Sequence, residues 1–143
     1  MIDFSIRLVL DTNILISSIL APNSIPAQVL NWGENRGIIL YSHDTLSELS
    51  SVLSRTKFAK YITPKEIDGL SERIKINWHC VPIIQRVNLC RDEKDNKFID
   101  LALNGNASYL ITGDDDLLVL NPIQDVLILK PRDFWSLINL SSG

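Results

Sequence analysis

Four short apolar runs constrain this chain more than any other feature: "IRLVLD" (6–11), "IILYS" (38–42), "SYLIT" (108–112) and "VLILK" (126–130). Each is continuous rather than alternating, the form of a strand buried on both faces of a parallel sheet. Parallel strands cannot be joined by tight hairpins and need a crossover, usually a helix. The intervening segments supply such helices. "PAQVLNWGENRG" (26–37) has Pro26 in its first turn and Gly37 past its end. "HDTLSELSSVLSR" (43–55) carries Leu46, Leu49, Val52 and Leu53 as one apolar stripe. "TPKE" (63–66) offers Thr63 as cap, Pro64 at the first position and Glu66 to close a capping box, predicting a helix to about Trp78. "NILISSIL" (13–20), "DNKFIDLALN" (95–104) and "PRDFWSLI" (131–138) read as helices as well, while "CVPII" (80–84) and "VNLC" (87–90) are weaker strand signals. The expected class is α/β, layered, with a mainly parallel central sheet flanked by helices.

A chain of 143 residues, 45% hydrophobic and 22% charged, fits one globular domain spanning residues 1–143, without repeats, linkers or low-complexity stretches. The net charge of −3 argues against a protein that coats nucleic acid, but not against an enzyme that handles it through a local patch and metal ions. Cys80 and Cys90 have neither zinc spacing nor disulfide-framework density, so a reducing compartment is expected. The apolar start, "LVL" and "ILISSILA", is broken by Asp11 and Asn13, with Asp3 and Arg7 in the leader, and falls short of the roughly 20 apolar residues that span a bilayer. A soluble, cytoplasmic protein is the expectation.

Ligands of open parallel sheets bind beyond the carboxyl ends of the strands. Asp11 ends the first strand; Asp114, Asp115 and Asp116 follow "SYLIT"; Asp95 opens a helix that starts at the same edge; Glu48 lies about one turn into the helix after the second strand. Singly, each has an ordinary explanation: a turn, a helix cap, a solvated helix residue. Jointly, four segments deliver carboxylates to one edge. Asp95 shares a helical face with Ile99 and Ala102, whereas Asp100 is expected to face solvent, and Asp92 and Glu93 to be loop charges. Clustered carboxylates are costly unless protons or cations neutralise them. His43 and His79 match no metal spacing, so an all-oxygen site for Mg²⁺ or Mn²⁺ is favoured over zinc, and such a site suits phosphodiester hydrolysis.

The segments "VLDTNILISSIL", "SHDTLSELSSVL", "CRDEKDNKFIDLAL" and "YLITGDDDLL" resemble the PIN-domain family, and within it the toxins related to VapC ribonucleases. The resemblance covers nearly the whole chain and implies a three-layer PIN-like fold. It also implies a metal-dependent endoribonuclease, a small antitoxin partner that blocks the acidic pocket, and a homodimer. The family's acidic positions fall on Asp11, Glu48, Asp95 and Asp114, its threonine on Thr112, and its additional acidic position on Asp116. On this basis Asp11 and Asp95 are expected to ligate the first ion, Asp114 to complete or bridge the site, and Asp116 to assist. Glu48 would orient the attacking water, and Asn13 and Thr112 would fix the carboxylates by hydrogen bonding. Ser17 and Ser18 are expected to pack rather than react.

Between Arg55 and Lys75, six basic residues (Arg55, Lys57, Lys60, Lys65, Arg73, Lys75) face three acidic ones, with Phe58 and Tyr61 interleaved. That mixture suits a groove for single-stranded RNA and equally suits a solvated helical hairpin. Lys94 and Lys97, beside Asp95, are further candidates for phosphate contact, whereas Trp32, Trp78 and Trp135 are expected in the core or at an interface. A receiver-type phosphoacceptor would carry an acidic pair after the first strand, and an Asp-nucleophile phosphatase a second Asp at position 13, which is Asn13. A non-catalytic RNA- or antitoxin-binding module and a metal-dependent DNA nuclease remain open at this point.

Overall fold

All five strands of the sheet run parallel, in the order β3-β2-β1-β4-β5, which are His79–Cys80, Ile38–Tyr41, Arg7–Leu10, Tyr109–Ile111 and Leu127–Leu129 in that order. The computed structural model describes residues 6–142, and side chains for residues 6–140; Asp3 lies outside the described residues. Helices α1 (Thr12–Leu20), α2 (Ile25–Arg36), α3 (His43–Leu53), α4 (Pro64–Asn77) and α7 (Pro131–Ser142) contribute to a core with Leu8, Leu10, Ile39, Tyr41 and Ile111. Helix α5 (Asn96–Asn104) and the short α6 (Asp115–Leu118) cover the other face, packing on Val9, Leu40, Leu110 and Ile128. Alternate strand residues thus enter opposite cores, which is why the runs read as continuously apolar.

Burying each large apolar side chain contributes about 1.5–3 kcal/mol, so a one-residue slip that exchanged the two faces would be costly. The register pairs Leu10 with Ile111, and Ile111 with Leu129. β1 and β4 therefore end level, and Asp11 and Thr112 emerge side by side. The helix starts follow their caps: Asp11 for α1, Ser24 for α2, Ser42 for α3 and Thr63 with Glu66 for α4. Trp78 is buried, with its indole N–H donating to Glu34, while Trp32 stands edge-on to Phe134 at 5.7 Å. Ser18 is buried and Ser17 exposed.

Three expectations need correction. The strand expected over 80–84 is only His79–Cys80, and 87–90 forms no strand. The amides of that segment are taken by side chains on α5: Val87 donates to Asp100 at 2.7 Å, and Leu89 and Cys90 donate to Asn96 at 3.1 and 2.9 Å. With its donors satisfied this way, the segment has no need of a neighbouring strand. Asp100 is accordingly buried rather than solvent-facing, at 4% exposure, with Arg86 opposite its second oxygen at 3.7 Å. The aspartates that follow β4 lead directly into α6. Asp114 caps α6, accepting the Asp116 amide at 2.9 Å.

Candidate active site

Strand order reverses between β1 and β4, and such a switch point opens a crevice at the carboxyl ends of the strands. Asp11 stands at its floor, 5% exposed. One carboxylate oxygen accepts the amides of Asn13 at 2.7 Å and Ile14 at 3.3 Å, capping α1, and the other accepts the Thr112 hydroxyl. Burial pushes the Asp11 pKa up against those hydrogen bonds, and the charge of Asp114 adds to the rise. Thr112, fully buried, also accepts the Asp114 amide at 3.0 Å, so one hydroxyl sets the spacing between the two aspartates.

Asp95 enters from the 3-10 turn Glu93–Asp95 that leads into α5. Its Oδ2 is buried and has no hydrogen-bond partner among the described residues. Burial, then the charge of Asp114 and a hydrogen bond to Asp114 open only to the protonated form, push its pKa up to about 7. An oxygen from each of Asp95, Asp114 and Asp116 lies within 4.8 Å of the others. The negative field extends to the buried Cys90, whose thiol is held at about 11 by burial and by Asp95, Asp114 and Asp116. Asp116 has a protein counter-ion, Arg91, at 3.3 Å.

Glu48 meets this group from α3, lining with Asp11, Asp95 and Asp114 a pocket of about 240 Å³. Its two oxygens accept from the Thr12 hydroxyl and, at 2.8 Å, from the Lys97 ammonium. Arg55 and the exposed Lys94 also line the pocket. Lys57 and Lys60 do not; each lies over its neighbouring ring, Phe58 at 5.1 Å and Tyr61 at 5.2 Å. Asn13 lines the pocket with an exposed side chain and reaches Asp11 through its backbone amide. The structure thus brings together Asp11, Glu48, Asp95, Asp114, Asp116 and Thr112, and turns Lys97 inward. Thr12, Arg91 and Asn96 went unnoticed in the sequence, although Arg91 and Asn96 flank Asp95 in "CRDEKDN".

Chemically, the pocket offers hard oxygen donors and an orphaned, buried carboxylate oxygen, a set that fits a divalent cation better than it fits protein alone. An uncharacterized protein of Methanocaldococcus jannaschii, MJ1680, is 35% identical over 120 residues, covering 80% of this chain and 75% of that protein. Among solved structures, VapBC-1 from nontypeable Haemophilus influenzae matches with a TM-score of 0.62 at 16% identity, over 89% of this chain and 99% of that one. VapBC2 from Rickettsia felis, solved bound to a promoter DNA fragment, matches with a TM-score of 0.59 at 14% identity, over 86% and 97%. PAE2754 from Pyrobaculum aerophilum matches with a TM-score of 0.56 at 13% identity, over 97% and 92%. These likenesses speak for the fold. A profile of the PIN domain matches residues 7–116, and with the carboxylates converging at the switch point, the chain belongs to the PIN-domain family.

Proposed function

We propose that the protein is a divalent-metal-dependent endoribonuclease that hydrolyses single-stranded RNA, acting as the toxin of a toxin–antitoxin pair. The observation that carries this reading is the orphaned Oδ2 of Asp95 beside Asp114 and Asp116. Buried negative charge without a donor calls for a cation. Membership of the PIN family supports a nuclease, and the VapBC complexes among its structural relatives support a small antitoxin.

Asp11, Asp95 and Asp114 would hold Mg²⁺ or Mn²⁺, with Asp116 assisting. When bound, such an ion supplies Lewis acidity that makes water a nucleophile near neutral pH and balances charge at the phosphate. The chain's own residues do the positioning. Thr112 fixes the distance between Asp11 and Asp114 through its two hydrogen bonds. Glu48 would accept the hydrogen bond and then the proton of the attacking water, whose oxygen forms the new bond to phosphorus as the bond to the leaving sugar oxygen breaks and that oxygen takes a proton from solvent. Arg55 and Lys94 at the rim, and Lys57 and Lys60 beyond it, suit an incoming phosphate backbone. The family resemblance extends the reading to a homodimer in the cytoplasm; among the described residues, no helix is long and apolar enough to cross a membrane.

The test is incubation of purified protein with mixed single-stranded RNA, and separately with single-stranded DNA, in Mg²⁺, Mn²⁺ or EDTA. Cutting of RNA that needs the metal is expected. Cutting of DNA alone would overturn the substrate, and cutting of both in EDTA would overturn the metal.

A further inference from the structure

The acidic pocket has two unlike halves. In one half, Asp95 Oδ2 has no protein donor among the described residues, whereas in the other both oxygens of Glu48 are engaged, one by the Thr12 hydroxyl and one by Lys97. The Lys97 and Glu48 side chains are 24% and 22% exposed, well below the exposure of the surface ion pairs Lys75–Glu72 and Arg86–Asp44. Their attraction is therefore screened less by solvent and salt than that of the surface pairs. Withdrawing the ammonium to meet a phosphate would leave Glu48 uncompensated in a pocket that already holds Asp11, Asp95 and Asp114.

We propose that Lys97 is a positioning residue: with Thr12 it holds Glu48 as a fixed acceptor facing the reacting water, and it contacts no substrate phosphate. Each Glu48 oxygen keeps a second lone pair, enough to accept from a water. With its charge balanced by the ammonium, Glu48 is a weak competitor for the cation, which belongs to the Asp95 half. Lys97 links the two halves in sequence as well. It lies on α5, two residues after Asp95 at the helix's N-cap, and reaches across to α3, so the helix that starts at Asp95 also orients Glu48. The catalytic part rests on the nuclease reading above; the pairing itself exists without metal and has its own readout.

That readout is a double-mutant cycle of Glu48→Gln and Lys97→Met followed by thermal unfolding in EDTA. Lys97→Met is expected to lower the melting temperature by roughly 2–5 °C in the wild-type background, with most of that loss disappearing in the Glu48→Gln background. Equal losses in both backgrounds would overturn the pairing. In the cleavage assay, Lys97→Met should lower kcat roughly 10–100-fold at unchanged KM and unchanged salt dependence, as loss of a supporting contact does. Lys97→Arg should restore most of the rate, and Lys97→Met should add nothing to Glu48→Gln. A raised KM at unchanged kcat, with the salt slope of RNA binding flattened by about 0.7, would make Lys97 a phosphate contact and overturn the proposal. If the wild type cuts nothing while the cycle still shows coupling, the nuclease reading and the catalytic half fall and the pairing stands.

Discussion

Asp95 and Asp100 occupy opposite ends of the electrostatic scale although both lie on or beside one helix. Asp100 is buried and matched: one oxygen takes the Val87 amide and the other faces Arg86. Asp95 is half-buried and unmatched, with an oxygen that meets no donor among the described residues and with Asp114, Asp92 and Asp11 as electrostatic neighbours. The first charge ties down a loop. The second works against the fold in the absence of a cation, and a cost of that kind persists where a ligand offsets it. Burial alone therefore does not separate a structural carboxylate from a functional one; the partner inventory does.

The largest expected effect follows from the unmatched charge. Asp95→Asn should abolish cleavage, by at least about 10³-fold, because it removes several kcal/mol of support for the cation at the transition state. The same substitution should leave the far-UV CD spectrum unchanged and raise stability in EDTA at pH 8, by on the order of 1 kcal/mol or roughly 3 °C. A mutant that melts lower than wild type would mean that Asp95 has a structural partner, and the contrast with Asp100 would collapse.

Substituting the matched charge should act with the opposite sign. Asp100→Ala orphans the Val87 amide and leaves Arg86 with Asp44 alone, at an expected loss of about 2–3 kcal/mol in urea unfolding. Asp100→Asn keeps an oxygen for the amide and should lose about 1 kcal/mol. One chemical change, Asp to Asn, is thus predicted to stabilise at position 95 and destabilise at position 100. Cleavage per folded molecule should stay near wild type in both Asp100 variants, since Asp100 lies outside the pocket that holds Glu48 and Asp95.

What the sequence made legible divides along the same line. Asp11 and Asp114 could be placed because a strand end is a local signal and the parallel-sheet rule carries it to the site. The four main strands and the Thr63 capping box are local for the same reason. Asp100 was misplaced because a helical wheel assigns one inward face, whereas α5 has the sheet on one side and the 83–90 segment on another. The ladder Asn96, Asp100, Asn104 at four-residue spacing was visible, but its partners are loop amides that the sequence does not position. The weak strand signal of "VNLC" yielded to those side-chain bonds. The Thr12–Glu48–Lys97 contact spans separations of 36 and 49 residues, so only packing could reveal it, and in the sequence Lys97 reads as a candidate for phosphate contact rather than as a partner of Glu48.

The smallest expected effect, and the sharpest test of the contrast, is the pH dependence of stability without metal. Asp95 has an ordinary carboxylate value of 3.8 when unfolded and about 7 when folded. Between those values the native state holds a proton that the unfolded chain has released. Stability of the metal-free protein should therefore fall as pH rises from about 4 to about 7, then level off. Asp11, also raised, adds to the same direction. The Asp95 share should amount to on the order of 1 kcal/mol after solvent screening of a half-exposed pocket. Melting curves of wild type and Asp95→Asn in EDTA should thus converge near pH 4 and separate by pH 8, with the mutant higher. Mn²⁺ should narrow the gap at pH 8 and do little at pH 5, where protons compete for the same oxygens. Curves that stay parallel across this range would mean that Asp95 is neutralised in the native protein at every pH, and so by a protein cation rather than by a proton or a metal ion.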